Sequence, residues 1–188
     1  MNANAKRSEI SEVKTQAGAG IPEPIEIQIR NHPFLKDLSP HQYRILSDSA
    51  MPSHFRKGEV IFRQGDPANR FYLIEQGQIA VEAWLPAGKS RVIQTLSGGD
   101  VLGWSWMFPP YYWQFSARAL EPTDAIFIYG TPLREECVTD HELGYELMKR
   151  LAEVVVQRLQ ATRRQLAGLP ESWIGGITVS GNGMTKFE

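Results

Sequence analysis

Apolar and polar positions follow three different periods along the chain. Within IPEPIEIQIR, residues 21–30, Ile25, Ile27 and Ile29 alternate with Glu26, Gln28 and Arg30. That is the period of a strand, which would pair with a sheet edge or a partner; an extended tail is the other reading. Over residues 32–50, HPFLKDLSPHQYRILSDSA groups Phe34, Leu35 and Leu38, then Tyr43, Ile45 and Leu46, as two short amphipathic helices would. Ser39 followed by Pro40 suits a helix N-cap and first helical position. Residues 51–129 break into short β-rich runs (HFRKGEVIFRQGD, FYLIEQGQIAVEAW, SRVIQTLSGGD, QFSARALE, AIFIYG) divided by Gly, Asp and Pro. Turn signals roughly ten residues apart predict an all-β barrel or jelly roll. From Leu133 the period turns helical, with Thr139 or Asp140 able to cap a helix that runs to about residue 167. Met148, Ala152, Val155, Leu159, Thr162 and Leu166 are spaced 4, 3, 4, 3, 4, a sustained a/d seam that Leu151, Val154 and Val156 widen. The seam predicts a homodimer; the alternative is a helix folded back on its own barrel. Gly168 and Pro170 end it.

The chain thus divides into a mobile arm over 1–24, one domain over 25–168 and a tail over 169–188. Within the domain the barrel covers about 51–130 and the long helix about 140–167. With 188 residues, a single domain plus tails is the natural expectation. Twenty basic and twenty-one acidic residues leave a net charge of −1, so no global field favours nucleic acid. The cluster Arg158, Arg163 and Arg164 reads as a solvated helix end that suits the macrodipole. No apolar run reaches membrane-spanning length, and the first twenty residues lack a signal-peptide core, so the expected location is the cytoplasm. Cys137 is the one cysteine, and its neighbours Glu135 and Glu136 are expected to raise its pKa. His32, His41, His54 and His141 do not pair at metal-ligand spacing, and no nucleophile elbow or phosphate loop occurs. The reading is of a protein that is not an enzyme, with no catalytic and no metal residues.

Four signals follow in order: GEVIFRQGD at 58–66, FYLIEQGQIAV at 71–81 with a tight turn at Gln76-Gly77, LSGGDVLG at 96–103, and a segment from Gly103 that ends in SARA. In that order and spacing they resemble the cyclic nucleotide-binding domain of CRP/FNR-like regulators and kinase regulatory subunits, over about residues 32–166. The run LGWSWMFPPY also resembles a divergent branch of small, stand-alone bacterial members. The resemblance implies a mainly β fold with flanking α: an eight-stranded jelly-roll β-barrel with short N-terminal helices and a long C-terminal helix that serves as the dimer interface. It also implies a ligand cassette of the form F-G-E-[LI]-[AS]-L, then P-R-x-A-[TS]-[VI]. There the glycine and a helix N-terminus give N–H groups to the cyclic phosphate. The glutamate accepts from the ribose 2′-hydroxyl, the arginine ion-pairs the phosphate and the Thr or Ser adds a hydroxyl.

Here the cassette reads VLGWSWMFPPYYWQFSARAL, and counting from Gly103 puts Trp104 at the glutamate position, Trp113 at the arginine position and Ser116 at the Thr/Ser position. The candidate pocket residues are therefore Gly103, Trp104, Ser105, Trp113, Ser116 and Arg118; the dimer-helix residues are Met148, Ala152, Val155 and Leu159. Losing a desolvated ion pair costs roughly 2–5 kcal/mol and a hydrogen-bond acceptor about 1 kcal/mol more. Affinity for cAMP or cGMP should fall about a hundredfold to ten-thousandfold. Arg118 shares a strand face with Ser116 and either faces an anion or snorkels to the rim. Trp104, Trp106, Phe108, Tyr111, Tyr112, Trp113 and Phe115 leave three readings open: a plug that fills the cavity, a pocket for a cyclic nucleotide or another small planar ligand, or a face that docks a protein partner. The functions that follow are a non-enzymatic regulatory sensor in signal transduction, or a constitutive dimeric scaffold using the aromatic loop or N-terminal arm. Another reading is a CRP/FNR-type regulator working with a separate DNA-binding partner. The residues after the long helix are too few for a DNA-reading module, so no direct DNA contact and no membrane contact are expected.

Overall fold

The structure is a computed structural model that describes residues 23–85 and 89–167. Most of the arm expected over 1–24, and the tail expected over 169–188, lie outside the described residues.

The first element corrects the strand reading: Ile25–Asn31 is helix α1. Alternation and helical spacing coincide at four residues, so Ile25 and Ile29 share a helix face as readily as a strand face. Ile29 is fully buried and Ile25 packs beside it, while Ile27 is exposed. Glu26 and Arg30, also four apart, pair at 2.8 Å. A 3-10 turn follows at Pro33–Leu35, then α2 at Pro40–Asp48. Ser39 caps α2 as expected, and Gln42 completes the capping box: the Ser39 hydroxyl accepts from Gln42 N–H, and Gln42 Oε1 accepts from Ser39 N–H.

Eight strands make the barrel: β1 (Ala50–Phe55), β2 (Val60–Phe62), β3 (Arg70–Gln76), β4 (Gln78–Leu85), β5 (Lys89–Ser97), β6 (Val101–Leu102), β7 (Ser116–Ala119) and β8 (Thr123–Tyr129). They form two four-stranded antiparallel sheets, ordered β1-β8-β3-β6 and β2-β7-β4-β5. The run FYLI of β3 is buried on both faces. Tyr72 and Ile74 join Ile79, Val81, Leu102, Ala117 and Phe127 between the sheets, whereas Phe71 and Leu73 face the helices with Ile126 and Ile128. Two cores share one sheet, which explains an unbroken apolar strand.

Helix α3 (Gly130–Thr139) leads into α4 (His141–Ala167), capped by Asp140 Oδ1, which accepts from Leu143 N–H at 2.9 Å. Leu143, Leu147, Leu151 and Val154 turn one stripe of α4 onto its own domain. Met148, Ala152, Val155 and Leu159 form the adjacent stripe, in which Leu159 is 60 % exposed. The helix therefore has both a home face and a free apolar face. The side chain of Leu166 lies outside the described residues. Arg158 departs from the solvated cluster read from sequence. It lies on the home stripe, four residues past Val154, and donates from Nη2 to Val101 O at 2.5 Å. Among the described residues no helix is long and apolar enough to cross a membrane.

Candidate functional site

The cassette lies between β6 and β7. Gly103 adopts φ +96° and starts a three-residue 3-10 turn, Trp104–Trp106. A side chain there would be strained by φ, and its Cβ would stand 2.9 Å from the six-membered ring of Trp113. Glycine and indole are thus fitted to each other. The Trp113 ring is 4 % exposed and stacks on Phe62 at 3.9 Å between centroids, with the planes 11° apart. Its backbone is fixed too: Trp113 N–H donates to Asp66 O, and Trp113 O accepts from Gly65 N–H, both at 2.9 Å. The gap left beside Gly103, bounded by Phe62, Leu102, Trp104, Trp113 and Arg158, measures about 20 Å³. Small-molecule pockets run from about 300 Å³ upward.

The seven aromatic residues split into three groups. Trp106 and Trp113 are core residues, one on the helix side and one between the sheets. Trp104, Phe108 and Phe115 are half-buried, Trp104 meeting Phe108 edge-on at 6.1 Å. Tyr111 and Tyr112 are exposed. Arg134 fastens this loop to α3, donating to Trp106 O at 2.6 Å with its guanidinium 4.3 Å over the Tyr111 ring.

Gly103, Trp104 and Trp113 come together at the gap, with Ser105 buried on the 3-10 turn. Ser116 and Arg118 do not join them. Ala117 points between the sheets, so its neighbours along β7 point the other way. The Ser116 hydroxyl accepts from Gln64 N–H at 3.0 Å and from Trp84 Nε1–H at 3.1 Å. Arg118 pairs with Glu82 at 3.3 Å and donates to Gly58 O. Sequence reasoning placed these two on one face correctly, and that face is outside the barrel. Arg158 was missed as a gap residue; its continuation of the Leu147, Leu151, Val154 stripe was the signal.

Among the described residues the other ionisable groups do not form a reactive centre. Cys137 is pushed up to about 11, first by burial and then by Asp140 and Glu136, so burial rather than sequence neighbours dominates. His54 is exposed and meets Asp124 at 2.5 Å; that contact and Gln76 hold the Asp124 carboxyl below its ordinary range. Among the described residues no group of three His, Cys, Asp or Glu is placed to hold a metal.

Comparison with known proteins follows the same outline. The family model described as "Cyclic nucleotide-binding domain" matches residues 52–140. Residues 52–140, just under half of the chain, are thus similar to the cyclic nucleotide-binding domain family. The domain is similar to a CRP-like cAMP-activated global transcriptional regulator of Mycobacterium tuberculosis, 25 % identical over 136 residues; the match takes in 72 % of this chain and 59 % of the regulator. A shorter stretch of 73 residues is 36 % identical to a cAMP-dependent protein kinase regulatory subunit of Dictyostelium discoideum, covering 37 % of this chain and 22 % of the subunit. In fold, the chain is similar to a cyclic nucleotide-binding domain from Methylobacillus flagellatus, with a TM-score of 0.67 and 20 % identity over 80 % of this chain and 87 % of that one. The chain spans just over half the length of the curated regulator it matches.

Proposed function

We propose that the chain is a non-enzymatic regulatory module of this family whose cassette binds cAMP and cGMP weakly or not at all. The observation that carries this is the Trp113 indole stacked on Phe62 against Gly103, with about 20 Å³ left beside it. A phosphate seated there has too little space, and the guanidinium that borders the gap, Arg158, donates instead to Val101 O. Arg118 is engaged outside the barrel, and Trp104 stands at the position of the ribose-binding carboxylate. The plug reading of the aromatic run thus gains over the planar-ligand reading. The partner-docking reading keeps support from the exposed Tyr111 and Tyr112. Homodimerisation is part of the proposal: Tyr145, Met148 and Leu159 form an exposed apolar stripe on α4 of the kind two helices bury against each other. The domain over 25–168 is taken as the working unit, acting in the cytoplasm on a protein partner through the set of α4.

Calorimetry with cAMP, cGMP and cyclic dinucleotides tests the reading. The expected result is no saturable heat at ligand concentrations below about 1 mM, equivalent to less than about 4 kcal/mol of binding. Saturation in the low micromolar range contradicts it.

A further inference from the structure

A second cavity, of about 290 Å³, opens where α4 meets the turn between β5 and β6. Phe34, Val101 and Val154 give it apolar walls, and Asp100, Arg150, Glu153 and Arg158 line its polar side. The two arginines differ in their partners. Arg150 holds three partners, donating to Phe34 O at 2.8 Å and Lys36 O at 2.7 Å and pairing with Glu146 at 3.3 Å, although its Nε has no partner among the described residues. Arg158 makes one hydrogen bond, to Val101 O, and its Nε has no partner among the described residues. It also has no ion pair within 4.0 Å there. Asp100 favours its charged form from a distance, while the Asp100 carboxylate accepts from Ser97 N–H at 2.8 Å. Burial draws the Arg158 pKa down to about 10, which still leaves a full charge near neutrality.

A buried cation is ordinarily paired, because an isolated one gives up its hydration for nothing. Asp100 shares the cavity wall with this guanidinium but makes no ion pair with it within 4.0 Å, which leaves Arg158 a direct contact to offer an incoming anion. We propose that this cavity binds a small organic anion, a phosphate or carboxylate on a short apolar body, with Arg158 as the cation that holds it. The position gives the site a consequence. Arg158 belongs to α4 and Val101 to β6, so a ligand with its anion on Arg158 and its apolar body against the Val101 side chain would fix the far half of α4 against the barrel. Arg158 borders both this cavity and the cassette gap, so shifts at Gly99 and along α4, rather than at Gly65 and Trp113, tell the two sites apart. Asp100 and Glu153 both oppose an anion there, and Glu153 is the useful control: it is exposed and its replacement leaves the core untouched.

Titration of the full chain with phenyl phosphate and with benzoate, followed by amide NMR, tests the proposal. Benzyl alcohol serves as the uncharged counterpart. We expect saturable shifts at Gly99, Val101 and along α4 with one or both anions and none with benzyl alcohol. Saturation by phenyl phosphate alone, or by benzoate alone, tells the phosphate source from the carboxylate source. Arg158→Gln should weaken binding about thirtyfold or more, and Glu153→Gln should tighten it about twofold to fivefold. Absence of saturation in both the wild type and Glu153→Gln overturns the proposal. So does benzyl alcohol matching the anions, or shifts confined to Gly65 and Trp113.

Discussion

Trp113 changes the chemistry of the cassette by occupying it. An arginine at that position leaves a polar space for an anion, whereas the indole becomes a core residue stacked on Phe62. Trp113→Ala should therefore act as a core truncation and cost about 3–5 kcal/mol, read as a lower urea midpoint with little change in slope. A loss under about 1 kcal/mol would mean that the ring contributes little to packing. His32 gives a pH signature. Its Nε2 lies 3.2 Å from Ile74 O, which can only accept, and its Nδ1 lies 3.3 Å from Phe34 N–H, which can only donate. The ring is thus the neutral Nε2–H tautomer, and burial lowers its pKa below the ordinary 6.5. A lowered folded pKa contributes stability that is full above 6.5 and lost as pH falls from there through the folded value. The urea midpoint should drop between about pH 7 and pH 5, and the drop should shrink in His32→Asn. A flat midpoint across that window would contradict the assignment.

Helix α1 and helix α4 show where pattern reading succeeds and where it is ambiguous. Isoleucines at 25, 27 and 29 satisfy a strand, yet the pair four apart also satisfies a helix, and over seven residues the two cannot be told apart. Helix α4 is long enough for its period to be plain, and its start at His141 agrees with the Asp140 cap. The 4-3 spacing could not tell which of two adjacent stripes faces the barrel. Leu143, Leu147, Leu151 and Val154 took the home side, leaving Met148 and Leu159 exposed. If that free stripe is a dimer seam, light scattering should give the wild type twice the chain mass, and Leu159→Glu should give the monomer with unchanged helix content. A monomeric wild type would contradict the seam, and a dimeric Leu159→Glu would place the interface elsewhere.

Taken whole, the fold was legible because the turn residues recur at jelly-roll spacing and the strand runs between them are unambiguous; eight strands and the flanking helices appear as expected. The cassette was legible only in part. Spacing from Gly103 put Trp104 and Trp113 in register, and both line the gap. Spacing alone does not say which face of β7 points inward, so Ser116 and Arg118 stood as open candidates until the packing of Ala117 settled the face. Nor does a single sequence reveal that Arg158 crosses to Val101 O, a bond between residues far apart in the chain.

The most direct measurement is a crystal structure grown with cAMP in large excess over the protein. The Trp113 ring should remain stacked on Phe62 against Gly103, with no nucleotide between β6 and β7. Density for cAMP in that space, with the indole swung away, would contradict the reading at its foundation.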